Sequence, residues 1–130
     1  MAGRTPRILV VDDDECLREL LKLHLGSAGY VVDVASDAIE AGYSILQVAP
    51  DLLIVDVNMP YLNGIDFVAT LVADATVPSF PFVFLSSDEA RMDQGYRLGA
   101  SAYLLKPLTK DRLLDAVARA LPAARRKVAA

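Results

Sequence analysis

Five short apolar runs punctuate the chain, at residues 8–11, 31–35, 52–55, 82–85 and 102–105. All but the second, which Asp33 interrupts, are continuously apolar rather than alternating. That is the pattern of strands covered on both faces. Amphipathic stretches fill the intervals. Over 15–25, Leu17, Leu20, Leu21 and Leu25 fall on one helical stripe, with Arg18, Glu19 and Lys22 largely off it. Gly29 is placed to end that helix. Asp37 followed by Glu40 resembles a capping box opening a second helix, which Pro50 closes off. Residues 65–72, 88–98 and 111–121 supply three more helices, the fourth with weak periodicity and Gly95 inside it. Five strand–helix pairs imply a doubly wound parallel sheet with helices on both faces, because parallel strands need crossover connections.

Length and charge narrow the class. A chain of 130 residues suits one domain over 1–130, with a core at about 6–121 and a frayed basic tail at 122–130. Hydrophobic residues make up 54%, which argues against disorder. Thirteen basic and seventeen acidic side chains leave a net charge of −4, which argues against a nucleic-acid-binding face. Cys16 stands alone, so no intramolecular disulfide can form. There is no signal-peptide pattern at the N-terminus and no run of 18 apolar residues, so the expected setting is the cytoplasm, without a membrane.

The chemistry gathers where the strands end. The first run is followed by Asp12, Asp13 and Asp14, the third by Asp56, the fourth by Ser86 and Ser87, and the fifth by Lys106 and Pro107. In a doubly wound sheet the carboxyl ends share one edge, where ligands bind. Clustered carboxylates repel one another, and a divalent cation relieves that. Oxygen ligands alone favour a hard cation such as Mg²⁺, which takes a phosphate oxygen readily. A nearby ammonium and hydroxyl suit a phosphoryl group, with one carboxylate as acceptor or nucleophile.

The stretches ILVVDDDE, PDLLIVDVNMPYLNG, FVFLSSD and LGASAYLLKPL, in this order, resemble the receiver domain of two-component response regulators. The resemblance covers about residues 6–121 and implies strand order 2-1-3-4-5. It implies that Asp56 is the phosphoacceptor and that Asp12 and Asp13 are the acidic pair, with Asp13 the direct metal ligand. Asn58 would offer its backbone carbonyl to Mg²⁺, Ser86 fills the hydroxyl position, Lys106 is the family's lysine, and Lys106–Pro107 is expected to be cis. Tyr103 matches the aromatic switch position, and Gly64 would lend the following turn flexibility. The implied partners are a histidine kinase or histidine phosphotransfer protein, and a downstream protein effector or C-terminal output domain. Phosphorylation would draw Ser86 toward the new group and turn Tyr103 inward, switching the face of helix 4, strand 5 and helix 5. The domain would catalyse only its own phosphotransfer and slow autodephosphorylation.

This sequence departs from the family in places. Ser86 to Lys106 looks about two residues short, a deficit assigned to the loop after strand 4 or to helix 4. Ser101 and Ala102 stand where many transcription-factor receivers carry an acidic pair, which lowers the expectation of their symmetric dimer. Asp88 and Asn58 fall at positions that tune dephosphorylation in the family.

Plainer readings apply to several residues. Asp14 suits a helix cap, Ser86 a strand-end hydroxyl, Tyr103 an ordinary half-buried aromatic, Cys16 a packing residue and His24 a boundary position. The alternative functions are an aspartate-nucleophile phosphohydrolase, for which Asn58 is a poor general acid, and an FMN carrier, whose phosphate the DDDE segment would repel. A receiver that no longer takes phosphate is a third.

Overall fold

The computed structural model describes residues 4–122. Most of the tail expected at 122–130 therefore lies outside the described residues. Strands and α-helices alternate: β1 (Arg7–Val11), α1 (Glu15–Ser27), β2 (Val31–Ala35), α2 (Ala38–Gln47), β3 (Leu52–Asp56), α3 (Gly64–Ala73), β4 (Phe82–Ser86), α4 (Met92–Leu98), β5 (Ala102–Leu105) and α5 (Lys110–Ala120). The five strands are all parallel, in the order β2-β1-β3-β4-β5.

The unbroken apolar runs follow from two cores, one on each side of the sheet. Leu9, Val11, Leu53, Val55, Phe82 and Phe84 pack with residues of α2 and α3 on one side. Ile8, Val10, Leu52, Ile54, Val83 and Leu85 pack with α1 and α5 on the other. Because successive side chains of a strand point to opposite faces, both sets must be apolar. β2 lies at the sheet edge, and there Asp33 is tolerated, paired with Arg7 at 2.8 Å.

Four helices begin at a side-chain cap. Asp14 accepts from the Leu17 N–H, Asp37 from Glu40, Asn63 from Asp66 and Thr109 from Arg112. Each such cap contributes about 1 kcal/mol. The box at α2 differs slightly from expectation, since the Glu40 carboxylate accepts from the Ser36 N–H, one residue before the cap. α1 closes as expected at Gly29, whose φ of 96° lets the Tyr30 N–H reach back to the Leu25 carbonyl. Leu20, expected on the buried stripe of α1, is 44% exposed, whereas Leu21 and Leu25 are buried. A helix turns about 100° per residue, and this sets Leu20 at the edge of that stripe.

The fourth helix is the weak one. Residues 89–91 form a 3₁₀ turn capped by Asp88, and only Met92–Leu98 is α-helical, so the expected helix over 88–98 shortens. Gly95 lies against the rings of Phe84 and Tyr103, where a Cβ would approach each to 3.1 Å. Its small size, which weakens the helix, is what lets α4 sit close to the sheet.

Candidate functional site

Strand register brings the polar residues together. Val11 pairs with Val55, so Asp12 and Asp56 leave neighbouring strands side by side. Asp56 pairs with Leu85, and Ser86 pairs with Leu105, which places Lys106 at the same edge. β3 and β4 each run one residue further than the apolar runs, and so include Asp56 and Ser86. The Lys106–Pro107 peptide is cis, as expected.

The Lys106 ammonium lies 3.2 Å from an Asp12 carboxylate oxygen and 3.4 Å from one of Asp56. Asp12 is fully buried, Asp56 is 3% exposed, and Asp13 faces solvent. These three acids each offer an oxygen within 4.8 Å of the others. The set is all-carboxylate and open on the Asp13 side, which suits a hard divalent cation. Burial, and then the neighbouring Asp12, push the Asp56 carboxyl up to about 6, against the opposing pull of Lys106 and the Asn58 N–H. For Lys106, burial works against the ammonium, but Asp12 and Asp56 outweigh it and raise its pKa. Charge is thus balanced imperfectly: one ammonium serves two nearly buried acids. A cation would complete it.

Asp14 stands apart, capping α1, so the plainer reading holds for it. Asn58 donates its backbone N–H to Asp56 Oδ1 at 3.2 Å. At Gly64 a Cβ would overlap the Asp56 carbonyl oxygen, so the position requires room as well as turn geometry. Its N–H bonds the Val57 carbonyl at 2.9 Å, holding the start of α3 against the end of β3.

Ser86 and Tyr103 converge elsewhere. The Ser86 hydroxyl donates to the Asp88 carbonyl at 3.0 Å and accepts from the Asp88 N–H at 3.0 Å. Tyr103 is buried, and its hydroxyl reaches the same carbonyl at 2.6 Å. The inward position that the resemblance implies for Tyr103 after phosphorylation is the one it holds here, with its hydroxyl satisfied by the loop carbonyl. The Asp88 side chain is committed as well, accepting from the Ala90 N–H to cap the 3₁₀ turn.

Three contributors left no signal in the sequence. Arg18 donates to the Asp12 carbonyl at 2.8 Å and braces that strand end. The Tyr96 hydroxyl accepts the Tyr103 N–H at 3.1 Å, satisfying an outer group of β5. The Asp88 carbonyl is the third. Each depends on how a helix or loop settles against the strand beside it in the fold.

Comparison with known proteins yields one family. The chain matches the model of the response regulator receiver domain over residues 8–118. The response regulator MprA of Mycobacterium ulcerans is 39% identical over 110 residues, 83% of this chain and 47% of that protein. The DNA-binding dual master transcriptional regulator RpaA of Synechocystis is 35% identical, over 86% of this chain and 47% of RpaA. The chain therefore spans about half the length of these curated relatives. Among solved structures, the chemotaxis protein CheY4 of Vibrio cholerae superposes with a TM-score of 0.84 at 30% identity, covering 91% of this chain and all of CheY4. The response regulator TrrA of Thermotoga maritima, in complex with Mg²⁺-BeF, gives 0.81 at 29%, covering 90% of this chain and all of TrrA.

Proposed function

The chain belongs to the response regulator receiver domain family, and from that premise we propose that Asp56 is a phosphoacceptor acting in the cytoplasm. The observation that carries this reading is the Lys106 ammonium shared between Asp56 and Asp12, with Asp13 within reach of the same ion-sized space. The donor is a phosphohistidine on a histidine kinase or histidine phosphotransfer protein. An Asp56 carboxylate oxygen attacks phosphorus as the P–N bond breaks, and the donor ring, protonated on its other nitrogen, leaves as neutral histidine while Asp56 carries the acyl phosphate.

Asp12, Asp13, Asp56 and the Asn58 carbonyl would hold Mg²⁺, and the all-oxygen donor set supports that choice. When bound, the ion offsets negative charge on the transferring group. Lys106 holds another phosphoryl oxygen and keeps Asp56 ionised for attack. Asp12 holds Lys106 in place. The Asn58 N–H fixes the Asp56 rotamer.

The product adds about two negative charges and three acceptor oxygens beside Lys106. Ser86 then exchanges its Asp88 partner for a phosphoryl oxygen, which frees the Asp88 loop to shift. Tyr103 and Tyr96 tie that loop and α4 to β5, so the change reaches the α4–β5–α5 face. That face passes the signal to an effector protein or an output domain. Intact-mass measurement after acetyl phosphate treatment, with and without Mg²⁺, tests the reading. One phosphoryl group is expected with Mg²⁺, little without it, and none on Asp56→Asn. Undiminished labelling of that variant refutes the assignment.

A further inference from the structure

Helix α2 is apolar on two sides. Ala38, Ala41 and Ile45 are buried against the core. On the outside, Ile39, Tyr43 and Leu46 follow the i, i+4, i+7 spacing of one face and are 63%, 68% and 77% exposed. The outer face of a surface helix is ordinarily charged or polar, and a helix apolar all round is one that becomes covered.

The apolar face extends beyond the helix. On one flank Ile39 shares a groove with Pro60, Tyr61 and Leu62 of the loop after β3. On the other, Ile39, Tyr43 and Leu46 line a groove of about 320 Å³ with Leu71 and Val77. Tyr61 is 91% exposed. A tyrosine carries roughly 150–250 Å² of surface, so the two tyrosines and their aliphatic neighbours present on the order of 500 Å². A patch of that size ranks with the largest that monomers expose, and these are often functional.

Charge selects the occupant. No lysine, arginine or histidine occurs between His24 and Arg91, a stretch that includes both α2 and α3. The charged residues lining these grooves are Asp37 and Asp74, and Glu40 follows Ile39 on the exposed side of α2; all are acidic. A second copy would set its own acids against the same acids, since a two-fold contact uses one patch twice. We propose that the α2–α3 face binds an amphipathic helix of another protein, with an apolar stripe at i, i+4, i+7 and Lys or Arg along its flanks. The stripe lies over Ile39, Tyr43 and Leu46, and the flanking cations meet Glu40 and Asp74. This surface is separate from phosphoryl acceptance and does not rest on it.

The test is selection of a displayed library of helical peptides, about four turns long, against the full unphosphorylated chain. Enriched peptides are expected to combine the apolar spacing with flanking cations. They should bind the Tyr43→Ser/Leu46→Ser variant at least about tenfold more weakly, the scale of one lost anchor. Leu46→Lys, which sets a cation in the groove, should reject them as well, and rising salt should weaken binding. Failure to enrich cationic amphipathic helices overturns the proposal, as does undiminished binding to both variants. Sedimentation showing a dimer that Leu46→Lys dissolves assigns the face to a second copy and also overturns it. Labelling of both variants by acetyl phosphate is expected to match the parent chain, which separates this outcome from the fate of Asp56.

Discussion

The Tyr103 hydroxyl donates a 2.6 Å hydrogen bond to the backbone carbonyl of Asp88, the same oxygen that takes the Ser86 hydroxyl at 3.0 Å. One loop carbonyl therefore anchors the strand-end hydroxyl beside the acceptor and the aromatic ring of β5. Removing the tyrosine hydroxyl is expected to loosen the loop without emptying the core. Tyr103→Phe should lose about 0.5–1.5 kcal/mol in a urea titration, because the carbonyl keeps Ser86 as a partner. Amide exchange at residues 87–91 should accelerate. Unchanged exchange there would show that the loop is held by other means.

The raised pKa of Asp56 makes a signed prediction about pH. A carboxyl at about 6 in the folded chain, against an ordinary value of 3.8, keeps its proton longer than it does unfolded. Folding is thus penalised as pH rises from about 4 through 6, and the penalty is complete at pH 7. Asp56→Asn carries no such penalty and should be more stable than the parent at pH 7, by on the order of 1–3 kcal/mol. The advantage should vanish by about pH 4. Denaturation of both chains across this range checks it, and a difference independent of pH counts against the assigned environment.

Divalent cation should relieve the same crowding. Mg²⁺ at ten times its Kd is expected to stabilise the chain by about 1.4 kcal/mol, read as a rise in Tm. Asp13 is exposed and serves no core contact, so Asp13→Asn should leave stability without Mg²⁺ nearly unchanged and remove most of the rise. A full Mg²⁺ response in that variant would take Asp13 out of the ligand set.

Gly64→Ala tests close approach. The added methyl meets the Asp56 carbonyl, which β3 holds fixed, so the start of α3 must shift. A loss of about 1–3 kcal/mol is expected, together with slower labelling by acetyl phosphate. If flexibility were the glycine's role, Gly64→Ala would leave the folded state nearly as stable.

Tyr61 carries backbone strain. Its φ of 71° lies in the left-handed region, and its exposed ring has little packing to lose. Tyr61→Asn, with a residue that tolerates this conformation, should stabilise the chain by up to about 1 kcal/mol. The same substitution should weaken peptides selected on the α2 face.

The fold was legible because burial on two faces leaves a mark along the chain. Residues 52–55 are apolar without a break because Leu52 and Ile54 face one core while Leu53 and Val55 face the other. Asp56 could be recognised as a strand-end acid for the same reason, since the apolar run stops where the crevice opens. Asp12, Asp13 and Lys106 follow in kind. The short fourth helix was harder to read, because Gly95 breaks the periodicity for the sake of a contact with Phe84 and Tyr103 that no local pattern records.

Local order along the chain determined the strands, the helices, their caps and the residues that terminate at the sheet edge, because these depend on side-chain periodicity and near-neighbour hydrogen bonds. Only the folded arrangement decided that Ser86 and Tyr103 share the Asp88 carbonyl, that Tyr103 is inside, that Gly64 clears the Asp56 carbonyl, and that the outer face of α2 stands bare. Each of those depends on how separate segments pack. A hydroxyl, a ring or a missing methyl takes its meaning from the group across the gap, and that group comes from elsewhere in the chain.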